Sequence, residues 1–320
     1  MEKKDLKIVF LGTPEFAVES LSRLVEGGYN IVGVVTMPDK PAGRGHKMYQ
    51  SPVKEYALAH GLKLMQPVKL KDEAFVEELR KLDADLFIVI AFRMLPEVVW
   101  RMPRLGTFNL HASLLPRYRG AAPINWAVIN GDTETGVTTF FLKHEIDTGD
   151  IIAQERIEIA PDENVGSVHD RLMMLGADLT LDTVESIIAG NLKTIPQDEL
   201  LHGEEPTPAP KIFKETCRID WTADARTVGN LVRGLSPYPG AWSSLSADGT
   251  VVGDVKIFAG KAVETSSLAH GEVRIADGRM TVGCGNATAY RVDELQIPGK
   301  RKMPIADFLR GNRLENMKFE

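Results

Sequence analysis

The sequence predicts an α/β fold: a mostly parallel sheet covered by helices, followed by a small antiparallel β-barrel. Three observations carry that expectation. Strand, helix and strand follow one another within Lys7–Thr36, a βαβ unit that requires parallel pairing. The stretch Pro196–Pro210, PQDELLHGEEPTPAP, holds four prolines and little to bury, as segments between domains do. Beyond it, short apolar runs are separated by Asp248-Gly249 and Asp277-Gly278, both hairpin dipeptides.

Taken in order, Lys7–Leu11 (KIVFL) reads as a buried strand, and Thr13 is placed to cap a helix whose first position is Pro14. Ala17, Val18, Leu21, Leu24 and Val25 repeat at helical spacing until Gly27-Gly28, and Ile31–Thr36 is the next strand. The first turn, Gly-Thr-Pro-Glu-Phe, lacks GxGxxG, which disfavours a dinucleotide site. Met37–Ser51 is expected to be a long loop without secondary structure, with Lys40, Arg44, His46, Lys47 and Tyr49 among prolines and glycines. Cations beside an aromatic suit phosphate contact and base stacking on RNA; an exposed, solvated loop is the alternative.

Helices follow at Val53–His60 and Asp72–Leu82, a doubly buried strand at Asp85–Ala91, and a short helix at Pro96–Arg101. Gly106–Ala112 and Gly136–Leu142 are strands flanking the helix Ala122–Asn130. Ile151–Ile159 adds one or two strands and Val165–Gly190 a long helix. After the proline-rich stretch, Cys217–Trp221 reads as a docking strand, Ala223–Gly234 as a helix, and the remainder as a barrel of a size that often binds oligonucleotides.

With 320 residues the chain can bury two cores, and 43% apolar against 26% charged residues is ordinary for a soluble globular protein. No run approaches the 18 apolar residues of a membrane span and the start is too short for an export signal, so neither membrane nor export is expected. Cys217 and Cys284 are isolated thiols that fit packing roles in a reducing cytoplasm. Residues 211–320 carry a net charge of +3 and the preceding 210 residues −9. The basic C-terminal part points to a polyanion partner, although scattered surface charge would give the same figure. A monomer is expected.

Because side chains alternate along a strand, Asn109 and His111 share one face, and the second strand runs into Asp147. Strand ends of this kind line the ligand crevice of open α/β sheets. The set lacks a partnered Ser or Cys nucleophile and suits direct acyl transfer to an external nucleophile. The amide donates to a developing oxyanion, the imidazole is a second donor when protonated, and the carboxylate favours that charged form. No HxxxH, HxH or Cys cluster offers a metal site, so none is expected. The alternative is a satisfied polar cluster capping strand ends.

FNLHASLLPRYRGAAP followed by GVTTFFLKHEIDTGD resembles the catalytic core of the folate-dependent formyltransferases. GTPEFA, PDKPAGRG, CRIDW and LSPYPGAW extend the likeness, from about Leu6 to Leu314, to the branch acting on methionyl initiator tRNA. The resemblance implies a Rossmann-like catalytic domain at 1–195, a linker at 196–211 and an OB-like tRNA-binding domain at 212–320. It implies transfer of a formyl group from 10-formyltetrahydrofolate to the methionyl α-amine, in translation initiation, with Asn109, His111 and Asp147 catalytic. Ser113, Leu114, Leu115 and Pro116 would contact the folate, and Lys40, Arg44, Lys47 and Lys211 the tRNA. The chain departs from the family pattern in the short Phe92–Pro96 segment, at Glu145, where glycine is usual, and at Ala112. Relatives within the family act on sugar-nucleotide amines or glycinamide ribonucleotide, or hydrolyse the folate. A folate- or RNA-binding module without turnover is the reading from another class.

Overall fold

The structure is a computed structural model that describes residues 2–42, 47–201, 203, 205–264, 266–312 and 315–320. Two compact units alternate along the chain. One comprises Met1–Gly120, Gly136–Ile157 and Asp170–Pro208; the other comprises Ala121–Thr135, Glu158–His169 and Ala209–Glu320.

The first unit is built on a seven-stranded sheet. Lys7–Gly12 lies between Asn30–Val35 and Leu86–Ile90, parallel to both, and Leu64–Met65 extends that edge. On the other side Thr107–His111 runs parallel to Leu86–Ile90 and antiparallel to Glu134–Phe141, with Ile151–Glu158 at the far edge. The central strands KIVFLG and LFIVI are apolar almost without interruption because helices cover both faces. Every residue of Leu86–Ile90 is buried.

Local chemistry moved four expected features. The first helix starts at Glu15, with Pro14 itself in the capping position at ψ 176° and no side-chain cap. Thr13 sits one residue too early, and its Oγ1 is buried without a partner among the described residues. The expected long loop contains a hairpin, Lys40–Ala42 paired with Lys47–Tyr49. Lys54 Nζ, 2.6 Å from Asp39 Oδ2, pins its base. Met48 and Tyr49 are exposed there, so no buried alternation announced the strands. Arg44 and His46 lie outside the described residues. The proline-rich stretch is not bare linker: it holds the helix Gln197–Leu201 and the short strand Pro208–Ala209. Cys217–Trp221 is not a strand but a 3₁₀ turn, Glu215–Cys217, leading to a single parallel bridge from Arg218 to Trp242.

The second unit is an antiparallel near-barrel. Its strands lie in the order Val273–Ala276, Arg279–Gly283, Ala289–Gln296, Thr250–Val263, Ala241–Ala247, Lys318–Phe319. The last strand returns beside the first: Phe319 N donates to Gly271 O at 2.9 Å and Val273 N to Met317 O at 3.2 Å. Register breaks at Ile257/Ala259 and Ala259/Gly260 bend the long strand, as closure requires. Asp248-Gly249 and Asp277-Gly278 are two-residue turns with φ of +48°, +73°, +50° and +69°, the type I′ signature. Trp221, Tyr290, Phe308 and Phe319 fill the interior, where Trp221 Nε1 donates to Ser243 Oγ at 2.9 Å. Burial drives the Cys284 thiol up to about 12, which makes it an inert packing group. The helix Pro123–Ile129 packs on Ala225–Gly234, with Asn125 Nδ2 donating to Gly234 O at 2.8 Å.

Candidate active site

Thr107–His111, TFNLH, alternates as a strand must. Phe108 is fully buried, and Leu110 packs against Gly176 of the helix Val165–Ala189, where a Cβ would stand 2.7 Å from the leucine. Asn109 and His111 therefore occupy the opposite face. Asn109 is half-buried. His111 is 8% exposed, with the Phe140 ring edge-on at 6.4 Å.

The chain beyond His111 folds back on the sheet through a compact set of polar bonds. Ser113 Oγ donates to Arg117 O at 2.7 Å, and Thr138 Oγ1 donates to Ser113 O at 2.6 Å. Gln154 Nε2 donates to Leu115 O at 2.8 Å. Tyr118, at φ +61°, turns its carbonyl to within 2.8 Å of His111 Nε2. A carbonyl can only accept, so Nε2 carries the proton and Nδ1 is the other face of the ring. Nδ1 stands 4.0 Å from Asp147 Oδ2, too far for a hydrogen bond and close enough for charge coupling.

Asp147 is held by its turn. It adopts φ +53°, a left-handed conformation that aspartate tolerates better than most residues. Its Oδ2 accepts from Gly120 N at 3.0 Å. Two residues later a Cβ on Gly149 would lie 1.5 Å from Phe141 O, so only glycine closes the turn against the sheet. Asp150 is engaged elsewhere, 2.6 Å from Lys143 Nζ, which leaves Asp147 as the carboxylate facing the ring. Glu145 is exposed, and its carbonyl accepts from Thr148 Oγ1 at 3.1 Å.

Asn109, His111 and Asp147 thus come together at the sheet end. Of the segment expected to face a folate, Ser113, Leu115 and Pro116 are buried and Leu114 is half-buried. Leu115 sits in an apolar cluster with Phe140 and Ile151. Arg93 is half-buried, and its Nη1 donates to Val68 O at 2.8 Å. Lys40 is exposed on its hairpin, and Lys211 is exposed with Nζ 5.5 Å from the Phe213 ring centroid. Sequence reasoning missed Thr138, Gln154 and Gln197, whose amides and hydroxyl tie the site's loops together. Thr138 lies within the GVTTFFLKHEIDTGD run but was not singled out there. Gln154 and Gln197 belong to no motif, and a lone amide inside a proline-rich stretch was the signal Gln197 offered.

Among the described residues no helix is long and apolar enough to cross a membrane, and no group of three His, Cys, Asp or Glu side chains could hold a metal ion.

Profiles of known families match both parts of the chain. The Formyl transferase profile covers residues 6–184, and the Formyl transferase, C-terminal domain profile covers residues 211–313. The methionyl-tRNA formyltransferase of Bacteroides fragilis is 60% identical over 317 residues, 98% of this chain and 97% of its own. That of Phocaeicola vulgatus is also 60% identical, covering 100% of both chains. Among solved structures, an N-formyltransferase from Helicobacter canadensis, bound to folinic acid and dTDP-3-aminofucose, superposes with a TM-score of 0.66. It is 18% identical over 90% of this chain and 98% of that one. HypX from Aquifex aeolicus, bound to tetrahydrofolic acid, gives 0.61 at 23% identity over 94% of this chain and 46% of that one. At such identities these two structures speak to the fold.

Proposed function

The chain belongs to the formyl transferase family and, within it, to the methionyl-tRNA formyltransferases, and from that premise we propose how its residues carry out the transfer. The donor is 10-formyltetrahydrofolate, which supplies the formyl carbon, and the acceptor is the α-amine of methionyl initiator tRNA. The product serves translation initiation in the cytoplasm, and the enzyme works as a monomer. The observation that carries the mechanism is that Asn109 and His111 share one face of their strand while Asp147 Oδ2 stands 4.0 Å from His111 Nδ1. An amide N–H donor next to an imidazole suits a carbonyl oxygen that gains charge.

In this reading Asn109 donates to the formyl oxygen as the amine adds to the carbon. His111, its Nε2 anchored on Tyr118 O, presents Nδ1 as the second donor when that nitrogen is protonated. Asp147, 4.0 Å away, balances the charge the ring then carries and keeps it placed. The carbon–nitrogen bond to the folate breaks as the oxygen's electron pair returns, and the leaving nitrogen takes up the proton that the attacking amine sheds. No covalent enzyme intermediate forms. Ser113, Leu114, Leu115 and Pro116 shape the folate-facing wall. Lys40, Arg44, Lys47 and Lys211 contact the tRNA backbone, with 1–195 the catalytic domain, 196–211 the linker and 212–320 an OB-like tRNA-binding domain.

The test is incubation with 10-formyltetrahydrofolate and charged initiator tRNA, with glycinamide ribonucleotide and a sugar-nucleotide amine in parallel. Formylation of the tRNA is expected, and transfer only to a small amine would overturn the acceptor. Arg44→Ala should weaken tRNA binding and flatten its salt dependence while leaving folate binding intact. Unchanged binding at every salt concentration would remove the hairpin from the tRNA surface.

A further inference from the structure

Gln197 opens the helix Gln197–Leu201 in the stretch that composition marked as linker, yet it is 2% exposed. Its amide is saturated. Nε2 donates to Asp147 O at 2.9 Å and to Gly149 O at 2.8 Å. Oε1 accepts from Arg119 Nε at 3.0 Å and from Nη2 at 2.7 Å. Arginine has only donors and the carbonyls only accept, so the network itself dictates which way the amide faces. One side chain thereby joins three segments: the turn carrying Asp147, the loop whose Gly120 N–H binds the Asp147 carboxylate, and the stretch that follows the sheet.

The turn needs such a clamp. Asp147 holds φ +53° and Ile146 beside it is 61% exposed, so no apolar burial at that residue pays for the left-handed backbone, and a strained residue persists only where its surroundings over-determine it. Gly120 N fixes one oxygen of the carboxylate; Gln197 bridges the carbonyls on both sides of Thr148.

We infer that Gln197 is a positioning residue for formyl transfer, its amide locking the Asp147–Gly149 turn so that the carboxylate faces His111. This rests on the catalytic part proposed for Asp147. Gln197 touches no substrate and acts through that turn alone. Gln197→Met keeps length and apolar stem but loses all four bonds. Gln197→Glu keeps an acceptor for Arg119 and turns a second acceptor toward two carbonyls, so it opens the turn more forcefully.

Single-turnover formylation with excess enzyme, on 10-formyltetrahydrofolate and methionyl initiator tRNA, tests the inference alongside thermal melts that give the folded fraction. Gln197→Met should slow the transfer step about 10- to 100-fold, the scale of a small misplacement of a catalytic group, with the half-saturating concentrations of both substrates nearly unchanged. Gln197→Glu should lose at least as much. In an Asp147→Ala background Gln197→Met should cost nothing further, since residues acting through one group do not add. A purely structural role would show equal losses in both backgrounds, and that result overturns the inference. So does a transfer rate for folded Gln197→Met within about twofold of the native rate. An impaired Asp147→Ala beside an unimpaired Gln197→Met overturns this inference alone, whereas a fully active Asp147→Ala overturns the role of Asp147 with it.

Discussion

Asn109 and His111 stand on a strand, Asp147 stands on a turn, and the two supports differ in kind. The strand is bonded to neighbours on both sides, and its Phe108 and Leu110 are buried beneath. Its residues are aimed by sheet register, and many apolar contacts share the work. The turn has a left-handed Asp147, an exposed Ile146, a glycine that fits against a carbonyl and a few polar bonds. Apolar support is distributed, so a single loss is tolerated. Polar support is concentrated, so each bond is individually necessary. Two of the three groups proposed to be catalytic should therefore be mutable with little damage to the fold, and the setting of the third should be fragile.

The largest effect tests the strand side. Asn109→Ala or His111→Ala should lower kcat by about 10²- to 10³-fold, the loss seen when an oxyanion donor is removed. Because Phe108 and Leu110 still anchor the strand, the melting temperature should stay near native. Near-normal formylation by His111→Ala, measured on folded enzyme, would break the mechanism. A large drop in melting temperature for Asn109→Ala would instead show that the strand lacks the redundancy claimed for it.

The turn side comes next. Gly149→Ala would put a methyl group 1.5 Å from Phe141 O, which backbone cannot absorb without moving. The expected cost is about 3 kcal/mol, at the upper end for overpacking, together with a fall in kcat as Asp147 is displaced. Urea unfolding and steady-state rates on the same sample read both. A stable, active Gly149→Ala would mean that the turn can relax outward, and that the polar clamp does not define it.

The same contrast explains what the sequence made legible. The run KIVFL and the alternation in TFNLH announce their strands because burial writes its period into apolar residues. Asp248-Gly249 and Asp277-Gly278 announced their turns because left-handed backbone restricts residue type. Asn109, His111 and Asp147 were legible as a set for the same reason, two on a patterned strand and one in an Asp-Thr-Gly-Asp run. The hairpin at Lys40–Tyr49 was not, since its described side chains bury nothing. Gln197 was not, since hydrogen bonds to carbonyls ask only for an amide and leave no periodic trace. Thr13 misled because a capping hydroxyl and a proline suffice for the motif, while the backbone at Pro14 decides where the helix begins.

The smallest effect isolates geometry from crowding by placing the same substitution at a second turn. Gly249 has φ +73° and nothing within 4 Å of a would-be Cβ, so Gly249→Ala meets no atoms and carries only the intrinsic cost of a left-handed L-residue. That cost is about 1–2 kcal/mol, and Asp248 before it already holds φ +48°. Gly149 is the reverse case, with no positive φ and a carbonyl in the way. Urea unfolding should therefore rank Gly149→Ala as the more damaging of the two, and Gly249→Ala should leave kcat at its native value. Equal destabilisation at both positions would mean that the glycine at the Asp147 turn is retained for chain flexibility rather than for contact. The close fit of that turn to Phe141 would then no longer account for the placement of Asp147.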